Sequence, residues 1–139
     1  MKLDDSLGFL INKAAGEMKY AFENSLRPFN LTPGQWSVLS RLTEKEGQTI
    51  GAIGKSLYFD KPTISGIIKR LENKGLIVKR RQSEDQRIIT IYLTSAAKDL
   101  MIELPNLAMA VNTKALKNFD AEETKILKMY LKRILDNMD

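Results

Sequence analysis

Lysine and arginine crowd one stretch of this chain. Between Lys61 and Arg87 there are eight of them against three carboxylates, while the remaining residues hold fourteen of each sign, so the whole formal charge of +5 sits in that stretch. Concentrated cations bind polyanions, because each duplex phosphate they neutralise releases condensed counterions. Double-stranded DNA is the expected partner, and the alternative is an acidic protein docked on the same surface. Other chemistry has little to work with. The 139 residues include no cysteine and no histidine, which removes thiol redox switches, disulfides, Cys/His zinc sites and histidine triads. Carboxylates alone can hold Mg²⁺ or Ca²⁺. The densest acidic group, Asp120-Ala121-Glu122-Glu123, reads more simply as a helix start. No glycine-rich phosphate loop and no nucleophile-base spacing is present. The expectation is a binding protein rather than an enzyme, with no metal and no cofactor.

The cations need elements to hold them. Ile64, Ile67, Ile68 and Leu71 fall at i, i+3, i+4 and i+7, one stripe of a helix. The opposite face carries Pro62, Ser65, Gly66, Lys69, Arg70 and Asn73, small at the start and cationic after the middle. Asp60 suits the N-cap, Pro62 the first turn and Gly75 the left-handed C′ position. Leu71 and Leu76 then form the apolar contact of a Schellman ending. From Leu76 the period changes. Leu76-Ile77-Val78 with Lys79-Arg80-Arg81, and Ile88 to Leu93, are β-branched and read as two strands. The tip, Gln82-Ser83-Glu84-Asp85-Gln86-Arg87, has nothing apolar to bury and projects into solvent.

The rest of the chain is helical. Apolar residues from Leu7 to Leu26 recur near every 3.5 positions over about Asp4 to Arg27, where Pro28 ends the run. Such a helix exceeds the usual three or four turns, and its stripe is expected to pack on a second subunit, with Gly8 and Gly16 allowing close approach. Thr32-Pro33-Gly34-Gln35 is a capping box that opens a helix running toward Gly47. Thr49 caps a short helix with Ile50, Ile53 and Leu57 inward and Gly51, Gly54 and Lys55 outward; with the Asp60 helix it makes a helix-turn-helix pair. Thr94 caps a later helix with a stripe from Leu100 to Phe119, and Pro105 inside it is expected to kink or split it. Asp120 opens a last helix whose apolar side holds Ile126, Leu127, Tyr130, Leu131, Ile134, Leu135 and Met138. No window reaches the roughly 20 apolar residues of a membrane span. Met1-Lys2-Leu3-Asp4-Asp5 is too acidic for a signal peptide, so a cytoplasmic protein without membrane partners is expected.

Asp60-Lys61-Pro62-Thr63-Ile64-Ser65, Arg70-Leu71-Glu72-Asn73-Lys74-Gly75-Leu76-Ile77, Asp85-Gln86-Arg87 and Leu93-Thr94 together resemble the winged helix-turn-helix of the MarR family of transcription regulators. The resemblance implies a mainly α fold with a small β-wing, a winged helix-turn-helix flanked by N- and C-terminal dimerisation helices. It spans one domain, residues 1–139, with about 31–94 binding DNA and about 1–30 and 95–139 forming a homodimer. The expected function is a sequence-specific regulator, a repressor released from a palindromic operator by a small aromatic or anionic effector. Lys61, Pro62, Thr63, Ser65, Gly66, Lys69 and Arg70 face the major groove in that reading. Lys79, Arg81, Asp85, Gln86 and Arg87 form the wing and its flank, with Arg87 entering the minor groove and Asp85 bracing it. Tyr20, Phe22 and Trp36 are effector candidates by residue type, and core packing accounts for them equally.

Overall fold

The computed structural model describes residues 1–82 and 84–139; Ser83, in the expected wing tip, lies outside the described residues. A 3₁₀ turn at Leu3–Asp5 leads into α1 (Leu7–Leu26), and a second at Arg27–Phe29 ends on Asn30 in the left-handed conformation, φ 55°. Then come α2 (Pro33–Glu44), β1 (Gln48–Thr49), α3 (Ile50–Ser56), α4 (Lys61–Asn73), β2 (Ile77–Arg81), β3 (Ile89–Leu93), α5 (Ser95–Ala115) and α6 (Ala121–Met138). The strands form an antiparallel sheet of order β1-β3-β2, in which Ile77 faces Leu93 and Arg81 faces Ile89.

The helix starts read from the sequence are present as hydrogen bonds. Thr32 and Gln35 exchange both bonds of a capping box at 3.2 Å, and Asp120 and Glu123 do the same at α6. Thr49 and Thr94 cap α3 and α5 through their hydroxyls. At the end of α4 the Leu76 amide donates to the Leu71 carbonyl and the Gly75 amide to the Glu72 carbonyl, both at 3.0 Å. With Gly75 at φ 72° and both leucines buried, this is the Schellman ending expected from the leucine spacing. The core gathers Leu26, Val38, Leu39, Leu42, Ile53, Ile64, Ile68, Leu71, Ile77, Ile91 and Leu104, so helices α1 to α5 and strands β2 and β3 all send side chains into one apolar cluster, whereas α6 has no buried residue.

Four expectations are corrected. The wing has a third strand: Gln48 and Thr49 pair with Ile91 and Thr90, because the left-handed Gly47 turns the chain so that its amide bonds to the Ile91 carbonyl at 2.9 Å. Gly54 faces inward, not outward. It is buried, and a Cβ there would come within 3.0 Å of Ile64 Cγ2, so its lack of a side chain sets how closely α3 approaches α4. Of the kink or split expected at Pro105, the split does not occur, and α5 runs unbroken from Ser95 to Ala115; proline removes one amide hydrogen bond, and burial of Met101 and Leu104 just before it keeps that turn in place. Finally, α5 stops before Leu116 and Phe119, and Asn118 at φ 68° turns the chain toward α6.

Among the described residues no helix is long and apolar enough to cross a membrane.

Candidate nucleic-acid interface

Helix α4 is held by its buried face. Ile64, Ile67, Ile68 and Leu71 are all in the core, which leaves the other side of the cylinder to solvent. There Lys61, Pro62, Thr63, Ser65, Lys69 and Arg70 are exposed and Gly66 is half-buried. Asp60 starts the helix by accepting from the Thr63 amide at 2.8 Å. Hydrogen bonds from Thr63, the side chain's first and then the amide's, hold the Asp60 carboxyl below its ordinary range. Gly66 has a steric role: a Cβ there would stand 3.1 Å from Arg70 Nη1. The guanidinium folds back along the exposed face over this glycine.

The hairpin sets the other cations beside this helix. Along β2, Ile77, Lys79 and Arg81 lie on one face and Val78 and Arg80 on the other, as strand alternation requires. The Lys79 ammonium is 3.5 Å from Glu72 of α4, and Arg81 Nη1 donates to the Gln86 carbonyl at 2.6 Å across the base of the tip. Arg87 makes a forked pair with Asp85, Nε to Oδ1 at 3.1 Å and Nη2 to Oδ2 at 3.2 Å, while the Arg87 amide also donates to Oδ1. That pairing, the side chain's contribution first, lowers the Asp85 carboxyl's proton affinity. The Arg87 side chain is nevertheless 91% exposed, so Asp85 orients the guanidinium without covering it.

Two cations of this stretch are committed in ways the local pattern does not show. The Arg80 guanidinium stacks over the Tyr92 ring, 4.4 Å from its centroid, and the Lys74 ammonium donates to Gln35 Oε1 and to the Asn30 carbonyl. The first follows from register, since Tyr92 pairs with Val78, two residues from Arg80 on the same face of β2. The second joins residues 39 and 44 positions apart, and no short-range signal announces it.

The effector candidates separate. Phe22 and Trp36 meet edge to face, ring centroids 5.0 Å apart at 89°, and both line a cavity of about 270 Å³ with Met18, Lys19, Pro33, Ala108, Val111 and Asn112. Tyr20 is 62% exposed and is not part of that lining. A larger groove of about 580 Å³ runs between the end of α1, the start of α2 and α4. Among the described residues no cluster of acidic side chains could hold a metal ion.

Comparison with known proteins agrees with this geometry. The MarR family profile matches residues 31–89, the stretch from α2 to the wing. The chain is 30% identical to the organic hydroperoxide resistance transcriptional regulator of Bacillus subtilis (strain 168), over 99% of this chain and 92% of that protein. Among solved structures it is similar to a probable transcriptional regulator from Pseudomonas aeruginosa, with 29% identity, a TM-score of 0.89, and coverage of 96% of this chain and 99% of that one. It is also similar to MepR of S. aureus in a DNA complex, with 25% identity, a TM-score of 0.88, and coverage of 95% and 98%. With 30% identity to a named regulator over nearly the whole of both chains and a matching winged helix, the chain belongs to the MarR family of DNA-binding transcriptional regulators.

Proposed function

We propose that the protein works as a homodimer that occupies a palindromic operator as a repressor and is released by a small effector. The observation that carries the dimer is α6. It has no buried residue in the single chain, yet Leu127, Tyr130, Leu131 and Leu135 stand in solvent on it, as Leu3, Leu7 and Leu10 do at the other end of the chain. Nothing lies within 4 Å of a Cβ at Gly8 or Gly16 among the described residues, which leaves α1 open to close approach. Apolar surface on this scale in a regulated DNA reader is covered by a second subunit. Two-fold symmetry then sets two α4 helices about one helical turn apart, roughly 34 Å, on half-sites of opposite direction.

In this arrangement Lys61, Pro62, Thr63, Ser65, Gly66, Lys69 and Arg70 meet the major groove. Short side chains near the helix start read thymine methyls and water, and Lys69 and Arg70 reach guanine or phosphate. The wing lays Arg87 in the neighbouring minor groove with Asp85 as its brace and Gln86 beside it, while Arg81 shapes the tip and Lys79 flanks it. The effector site is the 270 Å³ cavity, whose Phe22 and Trp36 offer aromatic walls and Lys19 a cation for an aromatic anion. The B. subtilis relative is named for organic hydroperoxide resistance. Without a cysteine this chain lacks the thiol on which reversible peroxide chemistry runs, so its stimulus is a ligand that binds.

Selection from random duplexes with the purified protein, followed by titration of aromatic carboxylates against the selected site, tests the proposal. It expects an enriched inverted repeat with half-sites about 10 bp apart and weakened binding as ligand is added. A single unrepeated motif, or no enrichment, would overturn it.

A further inference from the structure

Helix α4 packs on α2, α3 and β2. At its last turn it is also hydrogen-bonded to the segment leaving α1 and to the residue that starts α5. Lys74, the C-cap of α4, donates from Nζ to Gln35 Oε1 at 2.9 Å and to the Asn30 carbonyl oxygen. Asn30 closes the left-handed elbow after α1. Gln35, only 3% exposed, also receives the Thr32 amide on the same oxygen, so the ammonium is anchored on the start of α2. One residue further on, the Gly75 carbonyl accepts a 2.7 Å bond from Thr94 Oγ1, the hydroxyl that caps α5. The end of α4 is thus fastened to the elbow between α1 and α2 on one side and to the start of α5 on the other.

We infer that Lys74 is a positioning residue for operator reading: its ammonium locks the recognition helix to the α1–α2 elbow and so sets the separation at which a dimer presents its two helices. This rests on the dimeric DNA reading above. The bonds are charge-assisted and short-ranged, so they resist a small rotation of α4 that apolar contacts on its other face tolerate. Helix α4 itself does not depend on them, because the Gly75 ending and the leucine pair complete its last turn. Two of the three donors of Lys74 are taken by protein oxygens rather than left for phosphate. The geometric demand is strict: one inserted base pair moves a half-site by about 3.4 Å and turns it by about 35°.

Two measurements test the role, one of which needs no DNA. As the chain has no cysteine, Asn24→Cys and Lys69→Cys place spin labels on exposed sites of α1 and α4, the first turned away from the Gly8 and Gly16 face, and dilution with unlabelled chains isolates the intrachain distance. Lys74→Met is expected to broaden that distance distribution, and Lys74→Arg to keep it narrow. On operators with spacing altered by one base pair, the intact protein is expected to lose about tenfold or more in affinity, and Lys74→Met to discriminate by less than about threefold, with Lys74→Arg restoring the preference. Should Lys74→Met not fold, Lys74→Gln, which keeps one donor group, is read in the same assays. An unchanged distance distribution, or affinity falling equally at every spacing, overturns the inference. If the intact protein selects no duplex sequence, the operator reading fails, and the spin distances alone decide whether Lys74 holds the helix.

Discussion

At the scale of single residues the interface is a set of cations that differ in how freely they can meet phosphate. Lys69 has no intramolecular ion pair among the described residues, whereas Lys79 sits 3.5 Å from Glu72. Lys69→Ala is therefore expected to lower the slope of log affinity against log salt by about 1, and Lys79→Ala by less, in titrations at a series of salt concentrations. Arg87 is the reverse of a spent cation, since its partner Asp85 leaves the guanidinium open. Arg87→Ala is expected to weaken operator binding by about 1–3 kcal/mol, read by fluorescence anisotropy. The Asp85 carboxyl is held below its ordinary range by Arg87. A lowered value means that the brace is intact above the ordinary carboxylate range and is lost only as pH falls through the lowered one. The wing's contribution to affinity should stay flat through neutral pH and fade in acid, and Asp85→Asn should abolish that acid limb. The pairing of Asp85 with Arg87 was implied by the resemblance to the MarR wing, and the forked bonds are present. Arg80 could not be assigned to Tyr92 without the register of the hairpin.

Elements were legible wherever their ends carry their own chemistry. Thr32, Thr49, Asp60, Thr94 and Asp120 each accept from the amide three residues on, and such caps are read from adjacent residues without knowledge of the fold. The same holds for Gly75, which meets no steric obstacle but occupies φ 72°. Gly75→Ala is expected to destabilise the protein by about 1–2 kcal/mol through left-handed strain alone, measured by denaturant titration. Strand β1 escaped notice because two residues are too few to show a period of two; its existence depends on Ile91, more than forty residues away, offering a free edge. Gly54 was misplaced for a related reason. Its neighbour Ile64 lies across the turn between α3 and α4, and helical periodicity within α3 says nothing about which side that neighbour takes.

On the scale of the whole molecule the two ends of the chain are its least satisfied parts. Exposed leucines on α1 and α6 lie far along the sequence from each other, and their pattern was visible from spacing, although what covers them was not. Leu131→Asp is expected to shift the protein from dimer to monomer in sedimentation velocity and to abolish operator binding, while far-ultraviolet circular dichroism stays helical because no core residue of the reading domain is touched. Sheet order has an effect of a different kind. With β3 enclosed between its neighbours, β2 is left as an outer rim, and three of its five side chains are Lys79, Arg80 and Arg81. An unpaired rim invites other chains to add on as further strands, and clustered positive charge is one way proteins discourage that. These three cations therefore also guard against amyloid-like stacking, so neutralising all of them would cost colloidal solubility.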